Sequence, residues 1–264
     1  LTTGNYNDAF GRDALGTGTG FSECCAFGNS ALKVNAGNHN CAFGFSALVA
    51  NTTGARNTAF GHRALEANTD AVNNTAVGDY ALSDNTTGVD NTAVGREALQ
   101  YNTTGYHNTA IGQESQKVNT DGAVNTSIGH NSLKGNTGGV ANNAFGGNSL
   151  LVCTTGNYNS AIGADSGQSV TTGSNNMFFG HDAGRSNSPS GNVTTGSNNV
   201  VLGNNNTTDL YCADTSISSS DSRDKTDITD FTKGLDWIKA LRPVTYRWDR
   251  RTWYGSGVEG AADE

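Results

Sequence analysis

The chain has 264 residues, of which 15% are charged and 35 are glycine, and its formal net charge is −8 at neutral pH. That acidic balance, with no basic patch, argues against nucleic acid or an anionic membrane as a partner. No apolar stretch is long enough to span a bilayer as a helix, and no signal peptide or initiating methionine opens the sequence.

From the N-terminus, a glycine closes an Ala-apolar-Gly triplet or its close variant at Gly11, Gly28, Gly44, Gly61, Gly78, Gly95, Gly112, Gly129, Gly146, Gly163, Gly180 and Gly203. The intervals are 17, 16, eight of 17 and finally 23 residues. One clean copy runs from Asn91 to His107, NTAVGREALQYNTTGYH. A register held this long means that each copy stacks on the next. Leu1 to Gly4 match the second half of a copy, so the chain is read as opening mid-coil within a longer protein.

Seventeen residues are too few for a helix pair or a propeller blade but suit one turn of an all-β solenoid or β-roll. Asn, Thr and Gly dominate, and all three disfavour helix interiors. The expected coil has one strand at Thr92–Gly95 and a second near Ala98 and Leu99, with the Asn102–Gly105 segment as a turn. Stacking at about 4.8 Å would make the twelve coils a rod of roughly 55 to 60 Å. Asn57, Asn74, Asn91, Asn108 and Asn125 would form an amide ladder. Pro189 falls in an insertion, residues 186–193, read as a surface loop; this insertion and the 16-residue interval are expected to distort the ladder locally. Each coil offers about two large apolar side chains, such as Val94 and Leu99, a thin core that points to burial against further copies of the chain.

The five cysteines, Cys24, Cys25, Cys41, Cys153 and Cys212, match no zinc spacing, and no metal or other cofactor is expected. Cys25 and Cys41 hold one slot in adjacent coils, where they are either a disulfide staple or two thiols stacked in a ladder. Sequons such as those at Asn51 and Asn85 recur because the turn recurs.

The repeat decays after Gly203, which bounds a shaft at residues 1–212; residues 213–220 read as a linker. All three tryptophans follow, with helical spacing over Phe231, Leu235, Ile238 and Leu241, then a strand-like alternation through Val244, Tyr246 and Trp248. Residues 221–264 are therefore read as the start of a small α+β domain, too short for a complete core.

Ser220-Asp221-Ser222-Arg223-Asp224-Lys225, with Leu241-Arg242-Pro243-Val244-Thr245-Tyr246 downstream, resembles the N-terminal part of the endosialidase-type intramolecular chaperone domain of bacteriophage tail fibres and tailspikes. The repeats are similar to the β-helical shafts that precede this domain and, more loosely, to heads of trimeric autotransporter adhesins. The resemblance implies a homotrimeric fibre or tailspike shaft on a virion or other extracellular surface, bound to a host receptor or glycan. It further implies a self-cleaving serine peptidase, with Ser220 as nucleophile, Lys225 as base and Ser220–Asp221 as the cut bond. A turnover enzyme is not expected. A bacterial adhesin is the alternative, disfavoured by the chaperone motif. A glycan-cleaving spike would need paired carboxylates, but Asp79, Glu97, Glu114 and Asp165 are scattered over variable positions. An ice-binding Thr-x-Thr face is not evident.

Overall fold

The computed structural model describes residues 4–209, which form an all-β parallel solenoid of seventeen-residue coils. The strands are β1 (Asp8–Phe10), β2 (Cys25–Phe27), β3 (Cys41–Phe43), β4 (Thr58–Phe60), β5 (Thr75–Val77), β6 (Thr92–Val94), β7 (Thr109–Ile111), β8 (Thr126–Ile128), β9 (Asn143–Phe145), β10 (Ser160–Ile162), β11 (Met177–Phe179) and β12 (Val200–Leu202). They stack in chain order as one parallel sheet. There is no helix among the described residues. The helix and strand expected beyond Asp230 lie outside them.

Each coil contributes one strand, not two. The Ala-Leu segment turns instead of extending, because Glu97 and Leu99 adopt φ of 60° and 50°, in the left-handed region that a strand cannot use. Leu99 still donates its N–H to Ser115 O of the next coil at 3.0 Å, so the stack keeps its pairing without a second ladder. Gly95 shows why the strand ends in glycine. Its φ is +138°, and a Cβ there would lie 2.5 Å from Gly112 O in the coil above.

Within each strand the central residue points inward and its two neighbours outward, following the two-residue period. Ala93, Ala98 and Leu99 are fully buried, whereas Val94 stands on the outer face. The interior thus holds one large apolar side chain per regular coil, and asparagine fills the rest. The expected column is present: the N–H groups of Asn74, Asn91, Asn108 and Asn125 donate to the Oδ1 of Asn57, Asn74, Asn91 and Asn108 at 2.9–3.0 Å. A second column runs through Asn85, Asn102, Asn119 and Asn136, in which each Nδ2 donates to the preceding Oδ1 at 2.7 Å from Asn102 onward. The two columns converge on glycine carbonyls: Asn91 and Asn102 both donate to Gly105 O, at 2.8 and 3.0 Å. Buried amides satisfied in this way fix the register where apolar packing alone is sparse.

The ladder is not distorted where the coil length changes. Cys25 pairs with Cys41 across the 16-residue interval, and Met177 with Val200 across the 23-residue one. The shorter coil replaces Thr-Thr by Ala36 at its corner. The insertion is a loop of turns closed at its neck by Val193 N–H donating to Gly184 O at 2.9 Å. Both length changes are absorbed at corners, where backbone groups do not belong to the strand stack.

The apolar core breaks in the middle of the stack. One cluster ends near Ala110 and the next begins at Leu133. Between them Gln116 occupies the leucine slot and Ser127 the inward strand slot, joined by a 2.8 Å Nε2–Oγ hydrogen bond, while Gln116 Oε1 is buried without a partner. Restoring the repeat's own residues with Gln116→Leu and Ser127→Ala is expected to stabilise the chain by about 1–3 kcal/mol, the cost of one unsatisfied buried group, read as a raised denaturation midpoint at unchanged slope.

Candidate functional site

The strand stack presents one outward face with two columns. The first carries Thr58, Thr75, Thr92, Thr109 and Thr126 in its middle coils; the second is apolar in all twelve coils. Threonine and apolar side chains therefore alternate across the face, and no Thr-x-Thr array forms. Phe10 is 75% exposed, Phe60 57% and Ile162 46%. The Phe27 and Phe43 rings stack with centroids 4.8 Å apart and planes within 3°, an in-register pile set by the strand spacing.

The corners carry the charges. Lys117 Nζ lies 2.5 Å from Glu97 and Lys134 Nζ 2.5 Å from Glu114. The Lys134 ammonium holds the Glu114 carboxyl below its usual range, and the Glu97 hydrogen bond raises Lys117. Near the insertion, Asp165, His181 and Asp182 converge. Arg185 Nη1 sits 2.5 Å from Asp182 Oδ1 and 3.7 Å from Asp165 Oδ2, supplying the positive charge that this cluster would otherwise ask of a cation.

Four cysteines are free thiols. Cys25 and Cys41 are register partners on the outer face, as stacked thiols and not a staple. Cys24 and Cys153 do something the sequence reading did not assign: each replaces an asparagine in one of the buried columns. Cys24 Sγ accepts from Asn40 N–H and Asn35 Nδ2, both at 3.5 Å. Cys153 leaves Asn136 Oδ1 without a partner, and burial pushes its thiol up to about 11, so it is an inert filler. Aligning the repeats slot by slot would have shown both. The sequon asparagines Asn51 and Asn85 are fully buried, with Nδ2 hydrogen-bonded, so the folded coils offer no glycan acceptor there.

The predicted dyad, Ser220 and Lys225, lies outside the described residues, as do Cys212 and the 213–220 linker. Here sequence comparison carries the information. Residues 220–262 match the Chaperone of endosialidase family. The match begins at the serine singled out by the motif and contains Lys225 and the Leu241–Tyr246 segment. Comparison with curated proteins and with solved structures gave no match. The chain therefore joins a tail-fibre-like β-solenoid to a chaperone-of-endosialidase segment that starts shortly after the last coil.

Proposed function

We propose that the chain is the shaft of a homotrimeric virion fibre or tailspike that serves host attachment, and that its C-terminal segment assists assembly and is then released by autoproteolysis. The observation that carries this reading is the succession itself: twelve stacked coils ending just before a 43-residue match to the chaperone family. A parallel stack has a folding problem that such a chaperone would answer. Its pairings join residues in different coils, and a slip by one coil exchanges near-identical sequences at little cost.

In the proposed cleavage, Lys225 in its neutral amine form takes the Ser220 Oγ proton. Oγ then attacks the Ser220 carbonyl carbon, the C–N bond to Asp221 breaks as the Lys225 ammonium gives its proton to the departing amine, and one water hydrolyses the resulting ester, leaving a carboxyl and a restored hydroxyl on Ser220 and an amine on Asp221. A lysine can do this only where desolvation or a neighbouring cation lowers its pKa. Arg223, two residues from Lys225, is a candidate neighbour. Because such an environment forms only on folding, cutting would follow correct assembly. It would leave a shaft whose resistance to unfolding is a matter of rate.

The test is mass spectrometry on the full-length gene product. The wild type should yield a fragment ending at Ser220, and Ser220→Ala or Lys225→Met should remain intact. An uncut wild type, or a Ser220→Ala variant cut equally, would refute the dyad.

A further inference from the structure

We propose that the outward face of the strand stack is the surface on which copies of this chain meet, coil against coil in register. The inference rests on the trimeric reading above and specifies the face that reading needs. Three observations support it.

The first is composition. The apolar column runs unbroken from Phe10 to Leu202, and the column beside it carries a single charge, Asp8, at its first position. The next outward slot, just past each glycine, holds Arg12, His62, Asp79, Arg96, His130 and His181. That neighbouring slot thus accepts charge, whereas the two strand columns carry none beyond Asp8 and one of them is apolar throughout.

The second is area. The exposed apolar side chains of this column present on the order of 1,000 Å². A monomer seldom leaves a continuous patch of more than a few hundred Å² open, whereas a stable interface buries about 800 Å² per partner.

The third is pitch, and it selects the occupant. The stripe is narrow, two columns of a three-residue strand, but extends over twelve coils spaced by about 4.8 Å. A partner must match that spacing twelve times. A second copy of the chain does so by construction, with each coil opposite its own counterpart. A stripe this narrow also suits an edge turned toward a common axis, where several copies close one apolar core.

The test uses the full chain. In a charge-compensated stripe variant, Ile111→Glu with Ile128→Lys, the two new side chains lie in adjacent coils and can pair within one molecule. The control, Gln113→Glu with His130→Lys, makes the same change on the neighbouring slot. Light scattering should give three chain masses for wild type and control. The stripe variant should dissociate at a concentration at least tenfold higher, with an unchanged far-ultraviolet spectrum. A monomeric wild type would overturn the trimeric reading; a trimeric wild type whose stripe variant associates as tightly would overturn the face alone. Since the C-terminal segment could hold copies together unaided, a second measurement follows maleimide labelling of Ile128→Cys against Gln113→Cys in the assembled protein. Labelling at least tenfold slower at position 128 is expected, and equal rates would overturn the proposal.

Discussion

Phe178→Ala is expected to destabilise the C-terminal coils by about 3–5 kcal/mol, the range for emptying a buried aromatic site. Phe178 is fully buried on β11, in the slot that alanine fills in most other strands. Its ring occupies space vacated in two coils at once. The leucine slot holds Gly167 in one coil and Gly184 in the next. A Cβ at Gly167 would lie 2.8 Å from the Phe178 ring, and one at Gly184 2.4 Å from it. One large inward residue has thus replaced two. The interpretation makes a signed prediction for the combinations. Gly167→Leu alone should overpack the core. Gly167→Leu and Gly184→Leu added to Phe178→Ala should recover most of the loss, because Leu99 and Leu150 hold a left-handed backbone at φ 50° and 49°, near the 61° of Gly167, and Gly184 at 80° need only relax toward it. Urea denaturation with amide hydrogen exchange would locate the effect, since solenoid stability is a sum of neighbouring terms. A triple variant no more stable than Phe178→Ala would sink the compensation argument.

Asn91→Asp is the second large effect. Asn91 is fully buried; its Nδ2 donates to Gly105 O at 2.8 Å and its Oδ1 accepts from Asn108 N–H at 3.0 Å. An ionised aspartate keeps the acceptor but turns a negative oxygen toward the Gly105 carbonyl. An uncompensated buried charge of this kind costs about 3–5 kcal/mol. The protonated form can donate to Gly105 O and restore the pattern, so burial should raise the folded-state pKa above the unfolded value near 3.9. The sign follows: the folded chain then binds more protons than the unfolded one above that value. The variant should be nearest to wild type below about pH 4 and lose stability as the pH rises through the folded pKa. Parallel denaturation series at pH 4 and pH 7 would show this as a gap between variant and wild type that widens with pH. A gap constant with pH would refute the buried-charge account.

These two sites also show what the sequence could and could not say. The period, the parallel stack and the Asn57–Asn125 ladder follow from identical residues recurring at one spacing. The second strand could not be ruled out from the letters. Ala98-Leu99 reads as extended, and only the backbone reveals that a buried leucine takes a left-handed turn in eight of the coils. The outward setting of Val94 was hidden for a related reason: hydrophobicity marks a residue for burial without saying whether its own coil or a neighbouring chain supplies the cover. The local changes near Pro189 and between Cys25 and Cys41 were legible as irregularities in count. Their harmlessness was not, since it depends on corners that lie outside the strands and still pair across the length change, as Ala36 N–H does with Thr52 O and Thr171 N–H with Thr194 O. For the dyad the reverse holds: Ser220 and Lys225 are proposed from the motif alone, the family match spans both without giving either a role, and the coils say nothing about them.

The corners that absorb these length changes have an evolutionary consequence. Because β11 and β12 pair in register across a six-residue excess, the neck closed between Gly184 and Val193 makes the strand register independent of the loop's length, with Asn187 and Asn192 alone of the loop residues hydrogen-bonded to the neighbouring coils, at Asn205 and Ser169. Such a neck is a site where sequence can drift, lengthen or be exchanged with little thermodynamic penalty. Recognition of a changing target could evolve there while the scaffold stays fixed. The uniform pairing makes the coil a unit of length: duplicating one copy would add about 4.8 Å and replace one coil-to-coil contact by two of the same kind. The molecule would then behave as a ruler whose reach is set by the number of repeats and whose specificity is written at its corners.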